Sequence, residues 1–462
     1  MDRPNLLYLH SHDTGRYISP YGYAVSTPKL QAFAQRAVVF RNAFTVNPTC
    51  SPSRAALLTG QWPTRCGMLG LAHRGSRLND PSMHLARRLA RHGYGTFLVG
   101  IQHETAFEEE EVLGYTRLKG PPGPMTHEAR DEAHADVAAA FLEERARSTE
   151  PFFLSCGFFT THRYSLPDVP RGDDGLRPDP HNTSPTLLGD PRYVRPPACL
   201  PDTPAVRADF ADFTVAVSRL DKLMGRVLET LESTGLSRNT IVLLTTDHGI
   251  AFPGMKCNLT DHGTGVMLML AGPGLEAYGG SVVEPMVTHL DILPTLLERL
   301  GLPQETPLDG TSLWPLITGQ TERVHEAVFG MVNFHAACEP MRTVRTGRFR
   351  YIRRWETGGR GRVLPNCDDS LSKRELMTHG WAEKPPPAEE LFDLMLDPGE
   401  ACNVAADPAY AAPLEQMRRR LAAWMDDIDD PLRAGRIAPP RGFVLNAPDQ
   451  PSPSLPPLPP AT

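Results

Sequence analysis

The chain has 462 residues, a formal net charge of −7 and a pI near 6.2, with 40% hydrophobic and 22% charged residues. These values describe an ordinary globular protein; they exclude wholesale disorder and any global positive field for nucleic acid or anionic membrane, so an anionic ligand needs a local cluster of cations. The length predicts one large domain and a smaller one sharing an interface.

The chain opens Met-Asp-Arg-Pro and passes straight into apolar residues. It shows neither a leader pattern nor an apolar run of membrane-spanning length, which predicts a cytoplasmic protein without membrane partners. Its eight cysteines are scattered with no Cys-x-x-Cys pair and read as mostly reduced core residues.

Residues 5–11 form a short buried strand running into His12-Asp13-Thr14-Gly15. A carboxylate just past the carboxyl end of such a strand stands where an α/β sheet places its ligands, although Asp and Gly also make plain turns. Thr27-Pro28 opens a helix, followed by strand-like Val39-Phe40 and a loop. Then comes Cys50-Ser51-Pro52-Ser53-Arg54, continued by Ala55 to Gly60. Proline in the first turn and glycine at the end place Cys50 at the mouth of a helix, where backbone N–H groups converge. Arg54, one turn on, offers a two-pronged donor to the same anion.

The pentapeptide resembles the Cys-x-Pro-Ser-Arg signature of the sulfatases, in which the cysteine is oxidised after translation to formylglycine, whose aldehyde hydrate is the nucleophile. The resemblance implies an α/β fold: a large domain with a mainly parallel or mixed central sheet covered by helices on both faces, and a smaller C-terminal domain with a short antiparallel sheet and a helix. It also implies a formylglycine-generating maturation enzyme and one divalent metal ion, calcium by the family pattern. The family carries an Asp-Asp pair after the first strand; here Asp13 matches the second and His12 stands in place of the first. Calcium and magnesium prefer oxygen, whereas imidazole suits zinc, manganese and other transition ions, so this departure bears on which metal is held.

Further along, Arg65 to Gly75 is a glycine-containing loop whose His73 and Arg74 read as exposed. A helix over 82–92 and a strand over 93–100 lead to Ile101-Gln102-His103. The family has Lys, a variable residue and His here; His103 is then the catalytic base, and Ile101 removes an expected cation. Glu108 to Glu111 read as a solvated charge run, residues 128–147 as a helix and 151–159 as a fully apolar strand. That strand ends in Thr160-Thr161-His162-Arg163, similar to a sulfatase segment whose histidine binds the sulfate and assists the leaving group, a role that falls to His162. Residues 167–204, rich in Pro, Asp and Gly, read as a long surface excursion near the pocket mouth.

A long helix over 205–234 delivers the strand 239–246 and then Asp247-His248-Gly249. The family has both residues of this pair at the metal, so the implied metal set is His12, Asp13, Cys50, Asp247 and His248. Lys256 follows, matching the cation that binds the sulfate oxygens. His262 has no family match. Residues 265–271 read as a buried strand, and 287–300 as a helix packing on the sheet.

The resemblance places the catalytic domain at 1–325 and an α+β subdomain at 326–440. Residues 327–355 alternate as antiparallel strands, six arginines between Met341 and Arg354 read as solvated strand faces, and a helix follows near 408–425. The Pro-rich stretch 441–462 reads as a disordered tail. The implied activity is hydrolysis of a sulfate ester or sulfamate, on a small anionic sulfated substrate of carbohydrate type, by Cys50, Arg54, His103, His162 and Lys256. A phosphate or phosphonate monoester hydrolase on the same scaffold, and a catalytically silent anion-binding protein, are the rival readings.

Overall fold

The computed structural model describes residues 3–106, 109–120, 127–163, 173, 189–355 and 361–460. Its strands are β1 Asn5–Ser11, β2 Val38–Phe40, β3 Ala43–Phe44, β4 Gly95–Gly100, β5 Thr116–Arg117, β6 Phe152–Phe158, β7 Thr240–Thr246, β8 Leu268–Ala271, β9 Val282–Val283, β10 Val287–Thr288, β11 Val328–Phe334, β12 Cys338–Arg345, β13 Phe349–Arg354 and β14 Glu389–Asp393. Among the described residues the large sheet has the order β5-β4-β6-β1-β7-β8-β2-β9. Its first five strands run parallel, and β8 turns against β7.

Side-chain alternation along the strands builds two cores. Leu7, Leu9, Val242 and Leu244 face one layer, which the long helix Pro204–Ser233 covers with Val217, Leu220, Met224 and Val227. Leu6, Tyr8, Ile241 and Leu243 face the other, covered by Leu57 and Leu58 of the helix Cys50–Thr59 and by Leu293 and Leu296 of the helix Ile292–Arg299. Every residue of β1, β6 and β7 is buried, as a sheet with helices on both faces requires.

The strands β11 to β14 form a separate antiparallel sheet. Met331, Val344, Tyr351 and Leu391 pack there against Leu414, Met417, Leu421 and Trp424 of the helix Ala411–Asp427. No helix among the described residues is long and apolar enough to cross a membrane.

The structure corrects several local readings. Three of the six arginines are not on a solvated face, while Arg348 and Arg353 remain exposed: Arg342 is buried against Asp430, Arg350 lies between Asp261 and Glu400, and Arg345 forks onto Asp261. Glu110 is likewise buried and bonded to Arg117. The segment 287–300 starts as β10, and a Thr288–Asp291 capping box then closes the 3-10 turn His289–Asp291, which runs into the helix Ile292–Arg299. The Pro-rich tail is ordered through Pro460: Phe443 is buried 5.5 Å from Phe334, ring to ring, and the Ser452 hydroxyl bonds the Asp369 carboxylate. Gly70 makes room for that plug, since a Cβ there would meet the Phe443 ring at 2.6 Å. The excursion at 167–204 lies largely outside the described residues, which resume at Gly189.

Candidate active site

The register of the sheet explains how distant motifs meet. Ser11 pairs with Thr246 on one side and with Phe158 on the other, and Gly100 pairs with Gly157. Four neighbouring parallel strands therefore end at one level, and the residues that follow them emerge side by side. From β1 come His12 and Asp13, from β7 Asp247 and His248, from β6 His162 and from β4 His103. The helix Cys50–Thr59 brings its first residue, Cys50, to the same place.

Asp13 adopts a left-handed backbone with φ of 48°, a conformation aspartate tolerates better than most residues. The turn is held from the neighbouring strand, because the Asp13 N–H donates to Asp247 Oδ1 at 2.9 Å and the Gly15 N–H to the His248 carbonyl at 3.0 Å. His12 Nδ1 lies 3.0 Å from Asp13 Oδ1 and 3.0 Å from Asp247 Oδ2. His248 Nε2 lies 3.3 Å from Asp13 Oδ1 and 3.5 Å from Cys50 Sγ. Donor atoms of His12, Asp13, Cys50, Asp247 and His248 fall within 4.8 Å of one another, all on buried residues.

That cluster fits a divalent cation by its donor chemistry. Two ionisable carboxylates, two imidazoles and the residue 50 side chain converge. Burial pushes the Asp247 carboxyl up, but His12, His248 and Arg54 outweigh it and hold it well below the ordinary range. Burial likewise works against the charged forms of His12 and His248, yet the facing carboxylates carry both above their usual values. The carboxylates thus favour protons on the imidazoles, and a divalent cation bound there would take over that charge. Burial raises the Cys50 thiol, and the positive groups Lys256, His12 and His248 bring it down to about 7.

The other expected residues surround this cluster. Arg54 is buried at 1% exposure and commits its guanidinium inward: Nη1 donates to His10 Nδ1 at 2.7 Å, Nη2 to the Ser11 carbonyl at 2.9 Å and to Asp247 Oδ2 at 3.0 Å. It therefore aims a carboxylate, while its Nε–H is left without a partner. Lys256 Nζ sits 3.0 Å from Asp13 Oδ2. His103 Nδ1 lies 3.1 Å from His12 Nε2, and the rings meet edge on. His162 stacks on Phe159 and its Nδ1–H donates to the Arg163 carbonyl, which turns Nε2 toward Asp13, 3.9 Å away. Burial pushes the His162 imidazole down to about 3, so it is neutral in the free protein. The negative charge of a bound anion raises it. Ile101 is buried and supplies no charge.

His262 is not part of the site; its Nε2–H donates to the Gly399 carbonyl. His73 is at the mouth, its ring 6.1 Å from that of His103, while Arg74 holds the tail through Asn446. Several neighbours lie outside the strand-end motifs. His10 accepts from Arg54 and stacks on Tyr8, and Ser53 bonds His289. From the C-terminal sheet domain, Asp368 reaches Lys256 at 3.0 Å. The pattern of β1 held a signal for His10, a polar residue within an otherwise apolar strand; nothing in the sequence around Asp368 marked it.

Comparison with known proteins agrees with this geometry. A family model described as Sulfatase matches residues 4–302. Human N-sulphoglucosamine sulphohydrolase is 32% identical over 466 residues, covering 92% of this chain and 91% of that protein. An ulvan-active sulfatase of Formosa agariphila is 27% identical over 474 residues, covering 93% of this chain and 76% of its own. Among solved structures, one described as a 2-O GAG sulfatase superposes with a TM-score of 0.67 at 23% identity, covering 94% of each chain.

Proposed function

The chain belongs to the sulfatase family, and from that premise we propose that it releases inorganic sulfate from a sulfated sugar, with an N-sulfated glucosamine as the favoured substrate and formylglycine formed from Cys50 as the nucleophile. The observation that carries this reading is the convergence of Cys50 with His12, Asp13, Asp247 and His248, with Lys256 alongside.

His12, Asp13, Asp247, His248 and the modified residue 50 would hold a divalent cation, whose positive charge would offset the sulfate oxygens. Lys256, buried at 4% exposure, adds a second charge to the same anion. Arg54 fixes Asp247 and with it the floor of the site. Converted to an aldehyde hydrate, residue 50 would supply the hydroxyl nucleophile for sulfur, and His162 Nε2 is placed to carry a proton to the departing alcohol or amine. His103 is placed to accept the proton of the hydrate's second hydroxyl, which would let the carbonyl re-form as sulfate leaves. A thiol has no second hydroxyl to drive that last step, which is why conversion of Cys50 belongs to the proposal.

The paired-substrate test is direct. Matured protein turns over glucosamine N-sulfate and an aryl sulfate, with a phenyl phosphonate monoester slower by at least about 100-fold in kcat/KM. Turnover of the phosphorus substrate alone would favour the phosphonate hydrolase reading.

The donor set also favours a transition-metal ion over calcium. Two of the side chains are imidazoles, and His12 replaces a hard oxygen ligand of the family pattern. After dialysis against equal concentrations of calcium, magnesium, manganese and zinc, elemental analysis of the wild type is expected to find zinc or manganese at about one ion per chain. His12→Asp should move retention toward calcium. Calcium retained by the wild type would contradict the assignment.

A further inference from the structure

The C-terminal domain places one carboxylate in the site that the hydrolytic steps do not use. Asp368 follows the helical turn Leu364–Asn366, and its Oδ2 lies 3.0 Å from Lys256 Nζ. The same nitrogen is already 3.0 Å from Asp13 Oδ2. Lys256 thus has a counterion without Asp368, and a second one reduces its hold on any incoming anion.

Beyond that ion pair, Asp368 Oδ2 is buried without a partner. Its side chain is 16% exposed, and Oδ2 accepts no well-directed hydrogen bond. His335, buried at 6% exposure and electrostatically coupled to Asp368, also has a ring nitrogen, Nδ1, without a partner. Burial pushes the Asp368 carboxyl up, but Lys256 outweighs it and keeps the group ionised. When a sulfate occupies Lys256, this carboxylate is left beside an anion with free lone pairs, an arrangement that costs free energy unless the ligand brings a donor to it.

We propose that Asp368 reads the leaving group: its carboxylate accepts a hydrogen bond from the hydroxyl or amino hydrogens that flank the sulfate in a sugar, selecting sugars over leaving groups without such donors. The assignment rests on the sulfate-releasing reading of the same pocket. It makes Asp368 a specificity residue supplied by the second domain, and it explains why a negative group is tolerated in an anion pocket.

Calorimetry on wild type and Asp368→Asn separates the possibilities with three probes: inorganic sulfate, glucosamine and glucose. The variant is expected to bind sulfate more tightly and glucosamine about 10- to 100-fold more weakly, because a charged hydrogen-bond acceptor is lost while a repulsion is removed. Strengthened sulfate binding in the same protein shows that the pocket is intact. A parallel loss for glucose assigns the contact to hydroxyls, and a loss confined to glucosamine assigns it to the amine. Changes in the same direction for sulfate and sugar, or no change for either sugar, would overturn the proposal. These binding readouts stand apart from turnover: a wild type that hydrolyses no sulfate, yet binds glucosamine through Asp368, would sink the hydrolytic reading and leave this one standing.

Discussion

Cys50→Ala lowers kcat for sulfate release by about 10⁴- to 10⁶-fold relative to matured wild type, because it removes the covalent nucleophile. The expectation is specific to this position. Cys50 is the first residue of a wholly buried helix, with its Sγ 3.5 Å from His248 Nε2 and the remaining donors of the cluster within 4.8 Å. No other cysteine lies in that cluster. Alanine fits a site already built around a small side chain, so the fold should persist and the thermal midpoint of the metal-free protein should move little. Stopped or discontinuous sulfate assays over long incubations give the rate. A variant retaining more than about one per cent of wild-type kcat would mean that residue 50 is not the nucleophile.

Asp247→Ala is the second large effect, and it reaches stability as well as activity. Its Oδ1 accepts from the N–H groups of Asp13 and His248, and its Oδ2 accepts from Arg54 and faces His12. Truncation leaves the guanidinium of Arg54 buried without its carboxylate, and losing one partner of such a pair costs about 3–5 kcal/mol. Denaturant unfolding of the metal-free protein reads this directly. Asp247→Asn should cost clearly less, since it preserves acceptance of the two backbone N–H groups and loses only the charge. Both variants should fail to retain the metal ion. Equal stabilities for wild type and Asp247→Ala would show that the carboxylate does not hold Arg54 in solution.

The legible part of this molecule is the part whose chemistry follows a strand. His12-Asp13 and Asp247-His248 come directly after buried strands and His162 shortly after another, and parallel strands of matched register must deliver such residues to one edge. The helix mouth at Cys50 was readable for the same local reason, proline near its start and glycine at its end. What escaped was decided by contacts between distant segments. A run of arginines looks the same whether it meets water or acids elsewhere, and Arg342 finds Asp430, 88 residues on. The bonds of Arg54 to His10, Ser11 and Asp247 were likewise out of reach of local reading. Asp368 sits in an irregular stretch with no periodicity to place it, and only the docking of the second domain brings it to Lys256. The Pro-rich tail cannot build a core of its own, yet one ring, Phe443, anchors it against Phe334 over Gly70.

Residue 50 remains the point on which the account turns. Trypsin releases it in the peptide Asn42–Arg54, between the cleavage sites after Arg41 and Arg54. In active protein from cells that carry the maturation machinery, the account predicts this peptide about 18 Da below the mass of the cysteine form, as oxygen replaces sulfur and two hydrogens are lost. A peptide found entirely at the cysteine mass in protein that still releases sulfate would contradict it.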